Sequence, residues 1–186
     1  MPLTHHLRGK VGMWCLIAAE SSIFTIFVVA YLYYAGKSIS GPTPREVLDV
    51  PIFISISLFS SSFTIVMAEK AIHRGNTKLF AGWWLATIVL GLIFVLGTAR
   101  EWYALIYEHG LTISSSLFGT TFYSLVGLHL SHVLVGLTML TIVLIFTFLG
   151  DVQQEHAERL GVLSLYWHFV DAVWVVVLSV VYFIAR

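Results

Sequence analysis

The chain has 186 residues, 58% of them hydrophobic and 11% charged, with a mean hydropathy of +0.89; these values exclude an ordinary soluble domain and indicate an integral membrane protein. Lys+Arg and Asp+Glu both number 10, so no net charge points to nucleic acid or to an acidic substrate. One cysteine, Cys15, excludes an intrachain disulfide and any multi-cysteine metal or iron–sulfur site; in its apolar segment it reads as a buried thiol.

A spanning helix needs about 20 mostly apolar residues, and five stretches qualify, at about 11–35, 51–72, 79–107, 116–149 and 161–185. The first follows MPLTHHLRGK, is too long for a signal-peptide core and contains no small-residue cleavage site, so it is expected as a retained helix carrying Glu20. KSISGPTPREVLDVP then breaks the helix at Pro42, Pro44 and Pro51. The second stretch contains SISLFSSSF, where Ser55, Ser57, Ser60, Ser61 and Ser62 allow close approach and interhelical hydrogen bonds. It ends on Glu69, Lys70, His73 and Arg74, which read as a solvated helix end. The third carries Arg100 and Glu101 near its far end; adjacent residues point about 100° apart, so each needs its own partner. The fourth holds His129 and His132 between Gly127 and Gly136, and the fifth holds His168 and Asp171 within YWHFVDAVW. Trp83, Trp84, Trp102, Tyr103 and Trp167 fall toward segment ends, where such rings are expected at headgroup level. His5, His6, His109 and His156 lie in terminal or loop positions without site spacing. The expected architecture is a single all-α membrane domain over residues 1–186, a bundle of five transmembrane helices.

The basic residues near helix ends orient the bundle. Arg8, Lys10, Lys70, Arg74, Lys78 and Arg159 lie on the side of the N-terminus, against Lys37, Arg45 and Arg186 on the other; this places the N-terminus in the cytoplasm and the C-terminus outside.

Carboxylates and histidines inside spanning helices cost about 2.5–3.5 kcal/mol for a central charge and normally find partners. Counting rise along each helix brings Glu20, His129, His132, His168 and Asp171, from three helices, to similar depth. His129 with His132 and His168 with Asp171 are each spaced i, i+3 and share a helix face. Three readings follow: a buried polar cluster that orders the bundle, haem ligation by two histidines, and a proton relay through Glu20. Arg100, Glu101 and Trp102 form a second group, suited to lipid headgroups or to a neighbouring helix.

GMWCLIAAESSIF (12–24), TAREWYALI (98–106), FGTTFYSLVGLHLSHVLVG (118–136) and YWHFVDAVW (166–174) resemble, in order and spacing, the motifs of subunit III of the haem–copper oxidases, in the short, five-helix bacterial form without two N-terminal helices. The resemblance implies that this chain holds no haem, copper or other metal, those centres lying in partner subunits. It also implies packing against oxidase subunit I, bound phospholipid, protection of the catalytic subunit during turnover and support for proton uptake, all in the bacterial cytoplasmic membrane. The family's membrane-embedded glutamate corresponds to Glu20, its paired histidines to His129 and His132, its last His and Asp to His168 and Asp171, and the glutamate of its third helix to Glu101. Thr98 stands where the family often has glutamine, and without the two helices the lipid cleft would be open or completed by another subunit. Cytochrome c and quinol oxidases share this subunit, and accessory proteins of nitric oxide reductase clusters resemble its short form. A free-standing haem-bearing or proton-coupled carrier is the alternative from another class.

Overall fold

The computed structural model describes residues 3–37, 48 and 50–184. Pro42, Pro44, Arg45 and Arg186, used above for loop and orientation, lie outside the described residues. The described chain is helical, with α1 Leu3–Tyr34, α2 Ile52–His73, α3 Thr77–Tyr107, α4 Leu117–Leu149 and α5 Ala157–Leu178, the last continued by a π-helical stretch, Ser179–Ile184. Five helices are long and apolar enough to cross a membrane. In lipid each backbone polar group must be satisfied internally, and a continuous helix does this within its own segment. α1 starts at Leu3 and α5 at Ala157, earlier than the apolar runs at 11 and 161, because helical backbone continues into polar flanks that hold no proline.

Local chemistry sets the helix ends. The Asn76 side chain accepts from the Leu79 N–H at 3.0 Å at the start of α3, and Ser116 accepts from Gly119 N–H at 3.0 Å at the start of α4. α4 stops at Gly150, whose φ of 89° places it in the left-handed region where a side chain would be strained. α3 and α4, at 31 and 33 residues, span about 46–50 Å, longer than the ~30 Å hydrocarbon core, so both project into the headgroup layer or tilt.

The helices form a closed ring in which α1 touches α4, α4 touches α3, α3 touches α2, α2 touches α5 and α5 returns to α1, with α4 and α5 also packed across the middle. The fifth span is 56% buried across its most apolar window and α1 only 11%. α1 therefore leaves Trp14, Ile23, Ile26 and Val29 facing outward, a surface that only lipid or another membrane protein can cover. Cys15 shares this exposure. It lies on the outer surface of the chain rather than buried, because the helix carrying it has neighbours on one side only.

Two of the tryptophans expected near segment ends are enclosed by neighbouring helices. Trp84 and Trp167 are fully buried. The Trp84 indole N–H donates to the Leu140 carbonyl at 2.9 Å and that of Trp167 to Ser61 Oγ at 2.9 Å. Each indole N–H is thereby satisfied within the bundle. Tyr103, by contrast, is well exposed.

Candidate functional site

The five polar groups expected at one depth separate into two bonded assemblies and one isolated ring. Residues three apart on a helix are about 60° apart around its axis, and that angle is enough to aim His129 and His132 at different neighbours. His132, on α4, turns to α1 and places Nε2 3.0 Å from Glu20 Oε2. Its Nδ1 lies 2.8 Å from the Leu128 carbonyl oxygen, which can only accept, so Nδ1 carries hydrogen and donates. The Nε2–Oε2 contact then requires one further proton, either on the carboxyl facing a neutral ring or on the ring facing a carboxylate. The pair is one hydrogen-bonded unit between α1 and α4. Its side chains are 15% and 23% exposed, and they open onto a cleft of about 280 Å³ among α1, α4 and α5, walled by Met13, Leu16, Val135 and Tyr166.

His129 is fully buried, and neither ring nitrogen has a hydrogen-bond partner among the described residues. It stacks on Trp174 with centroids 5.1 Å apart and planes 26° apart, and meets the edges of Phe94 at 5.8 Å and Phe24 at 6.5 Å. Its surroundings are aromatic, not a polar cluster. The structure does not join it to Glu20, His168 or Asp171.

His168 and Asp171 on α5 meet through Ser62 on α2. The Ser62 hydroxyl donates to Asp171 Oδ2, and its oxygen lies 3.1 Å from His168 Nδ1. With the hydroxyl hydrogen spent on the carboxylate, the serine oxygen is left to accept from Nδ1–H, which sets the imidazole tautomer. Asp171 Oδ1 is buried without a partner, so Ser62 is the carboxyl group's one hydrogen-bond contact among the described residues. α2 also accepts the Trp174 indole at Ser55 Oγ, 3.0 Å away, and that of Trp167 at Ser61. Ser55, Ser61 and Ser62 thus make interhelical hydrogen bonds of the kind expected from the serine run and supply the polar seam between α2 and α5. The run of serines was the visible signal; which of them face α5 depends on the rotation of α2.

Ser62→Ala is expected to destabilise the bundle by roughly 1–3 kcal/mol, because Asp171 loses its donor and His168 its acceptor. His168→Leu should cost less, since it removes only a bond to Ser62 and leaves Asp171 held. Unfolding titrations of helicity in mixed micelles read both; a His168→Leu cost equal to or above that of Ser62→Ala would contradict this arrangement.

At the far end of α3 the side chains diverge as their 100° separation requires. Glu101 Oε1 accepts from the Tyr182 hydroxyl at 2.8 Å. That tyrosine is fully buried on the π-helical stretch, whose widened turn carries it against α3. Trp102 packs edge to face on Tyr123 at 5.1 Å, and its indole N–H has no hydrogen-bond partner among the described residues. Arg100 is exposed. Thr98 is buried and donates to the Phe94 carbonyl of its own helix at 3.0 Å. Among the described residues no group of three His, Cys, Asp or Glu side chains is placed to hold a metal ion.

Comparison with known proteins agrees over the whole chain. The family model for cytochrome c oxidase subunit III matches residues 6–186. Cytochrome c oxidase subunit 3 of Alkalihalophilus pseudofirmus is 35% identical over 95% of this chain and 88% of its own length. The protein of that name from Corynebacterium diphtheriae is 40% identical over 94% and 87%, and a probable quinol oxidase subunit 3 of Staphylococcus saprophyticus is 29% identical over 95% and 89%. Five apolar spans, a full-length family match and relatives sharing more than a third of their residues make this chain a member of the cytochrome c oxidase subunit III family.

Proposed function

We propose that this chain is the non-redox accessory subunit III of a bacterial haem–copper terminal oxidase, packed directly on subunit I, holding phospholipid, prolonging turnover and supporting proton uptake from the cytoplasm. Family membership makes it a multi-pass membrane protein that works in a complex with other oxidase subunits. The finer reading rests on one observation, the Glu20–His132 pair. It shares a single proton between two heavy atoms, sits within the apolar bundle and opens sideways onto a cleft. A group that holds a proton between two stable placements, partly shielded from water, can take up and release it with little rearrangement. The outward apolar face of α1 supports a membrane partner beside it.

In this reading the N-terminus is cytoplasmic and the C-terminus outside, and the membrane is the bacterial inner membrane. His129, His168 and Asp171 serve packing and order rather than transfer, since none is bonded to the Glu20–His132 pair. The named relatives include both cytochrome c and quinol oxidases; the choice of electron donor is assigned to the partner subunits.

Mild-detergent purification of the tagged chain from its native membrane should bring down a large haem-bearing subunit, with the isolated chain colourless. Glu20→Gln should still assemble, because an amide can bond to His132, yet it holds no exchangeable acid proton. Proton uptake or the number of turnovers before inactivation should fall several-fold. Parent-like values for both over prolonged turnover would remove Glu20 from proton supply, and a coloured chain purified alone would overturn the accessory-subunit reading.

A further inference from the structure

One ring nitrogen of His168 has not been accounted for. Nδ1 is engaged by Ser62, and His168 has no other hydrogen-bond partner among the described residues. The ring is half-buried, and Nε2, unlike both nitrogens of His129, is not enclosed by the bundle. The residues flanking this contact along both helices, Phe59 and Phe63 on α2 and Ala172 and Val175 on α5, are exposed. Nε2 therefore reaches the outer groove between α2 and α5. Because Nδ1 carries the hydrogen, Nε2 of the neutral ring presents only a lone pair.

Depth makes that lone pair informative. Ser62 is the eleventh of the 22 residues of α2, about 15 Å from either end, so its contact with His168 lies near the middle of the hydrocarbon. An acceptor facing outward there meets no water, and leaving it unsatisfied is costly. Seven residues further along α2, about 10 Å toward the α2–α3 connection, Glu69 lies half-buried against Gly161 of α5, where an added Cβ would stand 3.5 Å from Glu69 Oε1. Glu69 makes no hydrogen bond or ion pair among the described residues, whereas Lys70 and His73 beyond it are exposed. A carboxylate, like the bare imidazole nitrogen, only accepts. The Ser62 hydroxyl is already spent on Asp171. The groove thus offers two acceptors in line within an apolar surface.

We propose that the α2–α5 groove docks a transmembrane helix of a neighbouring oxidase subunit, one that presents a hydroxyl, amide or indole donor to His168 Nε2 and a second donor to Glu69. The inference rests on the accessory-subunit reading and gives it a face and a contact chemistry. Acyl chains carry no donor at this depth. A second copy of this chain, related by a two-fold axis along the membrane normal, would set acceptor against acceptor.

The test is photo-cross-linking in the intact complex, with a benzophenone amino acid placed at Ala172, one turn from His168, or at Leu96, an exposed position on α3. The Ala172 probe should give an adduct with another oxidase subunit and the Leu96 probe should not. In parallel, His168→Leu should lower retention of that subunit in mild detergent about fivefold, the loss of one acceptor facing a buried donor. His168→Gln, which keeps an acceptor at the position of Nε2, should recover most of it. Ala172 adducts to lipid alone or to a second copy of this chain, or parent-like retention in His168→Leu, would overturn the proposal. A chain that purifies with oxidase subunits yet gives no Ala172 adduct with them removes the groove and leaves the accessory-subunit reading standing; a chain that joins no complex removes both.

Discussion

Trp167→Ala should lower the stability of the bundle by about 3–4 kcal/mol, read as a shift in the unfolding midpoint of helicity in mixed micelles. The indole is fully buried where α2, α3, α4 and α5 converge. Truncation removes about 140 Å³ of side chain, and at roughly 24 cal/mol per Å³ of cavity that alone is about 3 kcal/mol. Loss of the bond to Ser61 adds about 0.6 kcal/mol, the average for interhelical hydrogen bonds in a membrane protein. The cavity term dominates because, in lipid, helices gain little from leaving water and are held by packing. Trp167→Phe should therefore be mild. If the alanine variant unfolded within about 1 kcal/mol of the parent, Trp167 would not be the packing centre described here.

Gly136→Val is expected to cost about 1–3 kcal/mol by overfilling the same spot. A Cβ at Gly136 would lie 2.9 Å from two indole carbons of Trp167, and one at Gly91 would lie 2.8 Å from Leu137 and 2.9 Å from the same indole. The ring thus occupies a slot whose two sides are bare backbone, one on α3 and one on α4. Valine must displace it, and the helix-propensity gain of up to about 1 kcal/mol on replacing glycine does not offset that shift. The decisive measurement is the double variant. Gly136→Val with Trp167→Ala should be less damaged than the sum of its parts, by about 0.5–3 kcal/mol, because the valine then fills part of the cavity. Strict additivity would show that the two sites do not share this slot.

These expectations rest on contacts that the order of residues does not display. Gly136 reads in the sequence as a small residue flanking two histidines; its neighbour is Trp167, thirty-one positions away. Trp84 and Trp167 fall toward the ends of apolar runs and so suggest headgroup rings, but side-chain and backbone oxygens on facing helices take their N–H groups inside. Depth along a helix is nearly readable from rise per residue. Rotation about its axis is not, and rotation decided every one of these cases.

The same distinction runs through the polar residues. Counting rise placed Glu20, His129, His132, His168 and Asp171 at similar depth, and the i, i+3 spacings allowed each pair a common face. Rotation then sent His132 to Glu20, His129 into a box of Trp174, Phe94 and Phe24, and both α5 residues to Ser62. Arg100 and Glu101 parted as their 100° separation demands, one outward and one to Tyr182.

By itself the sequence determined that this is a membrane protein with five apolar helices, and its motifs carried the family, because lipid admits few spanning structures and composition reports them directly. Only the tertiary structure decided which polar groups bond to one another, which serine holds Asp171, and which glycines make room for Trp167. Those outcomes depend on how each helix is turned toward its neighbours, and in lipid that turn is set by side chains fitting across helices rather than by any pattern along one of them.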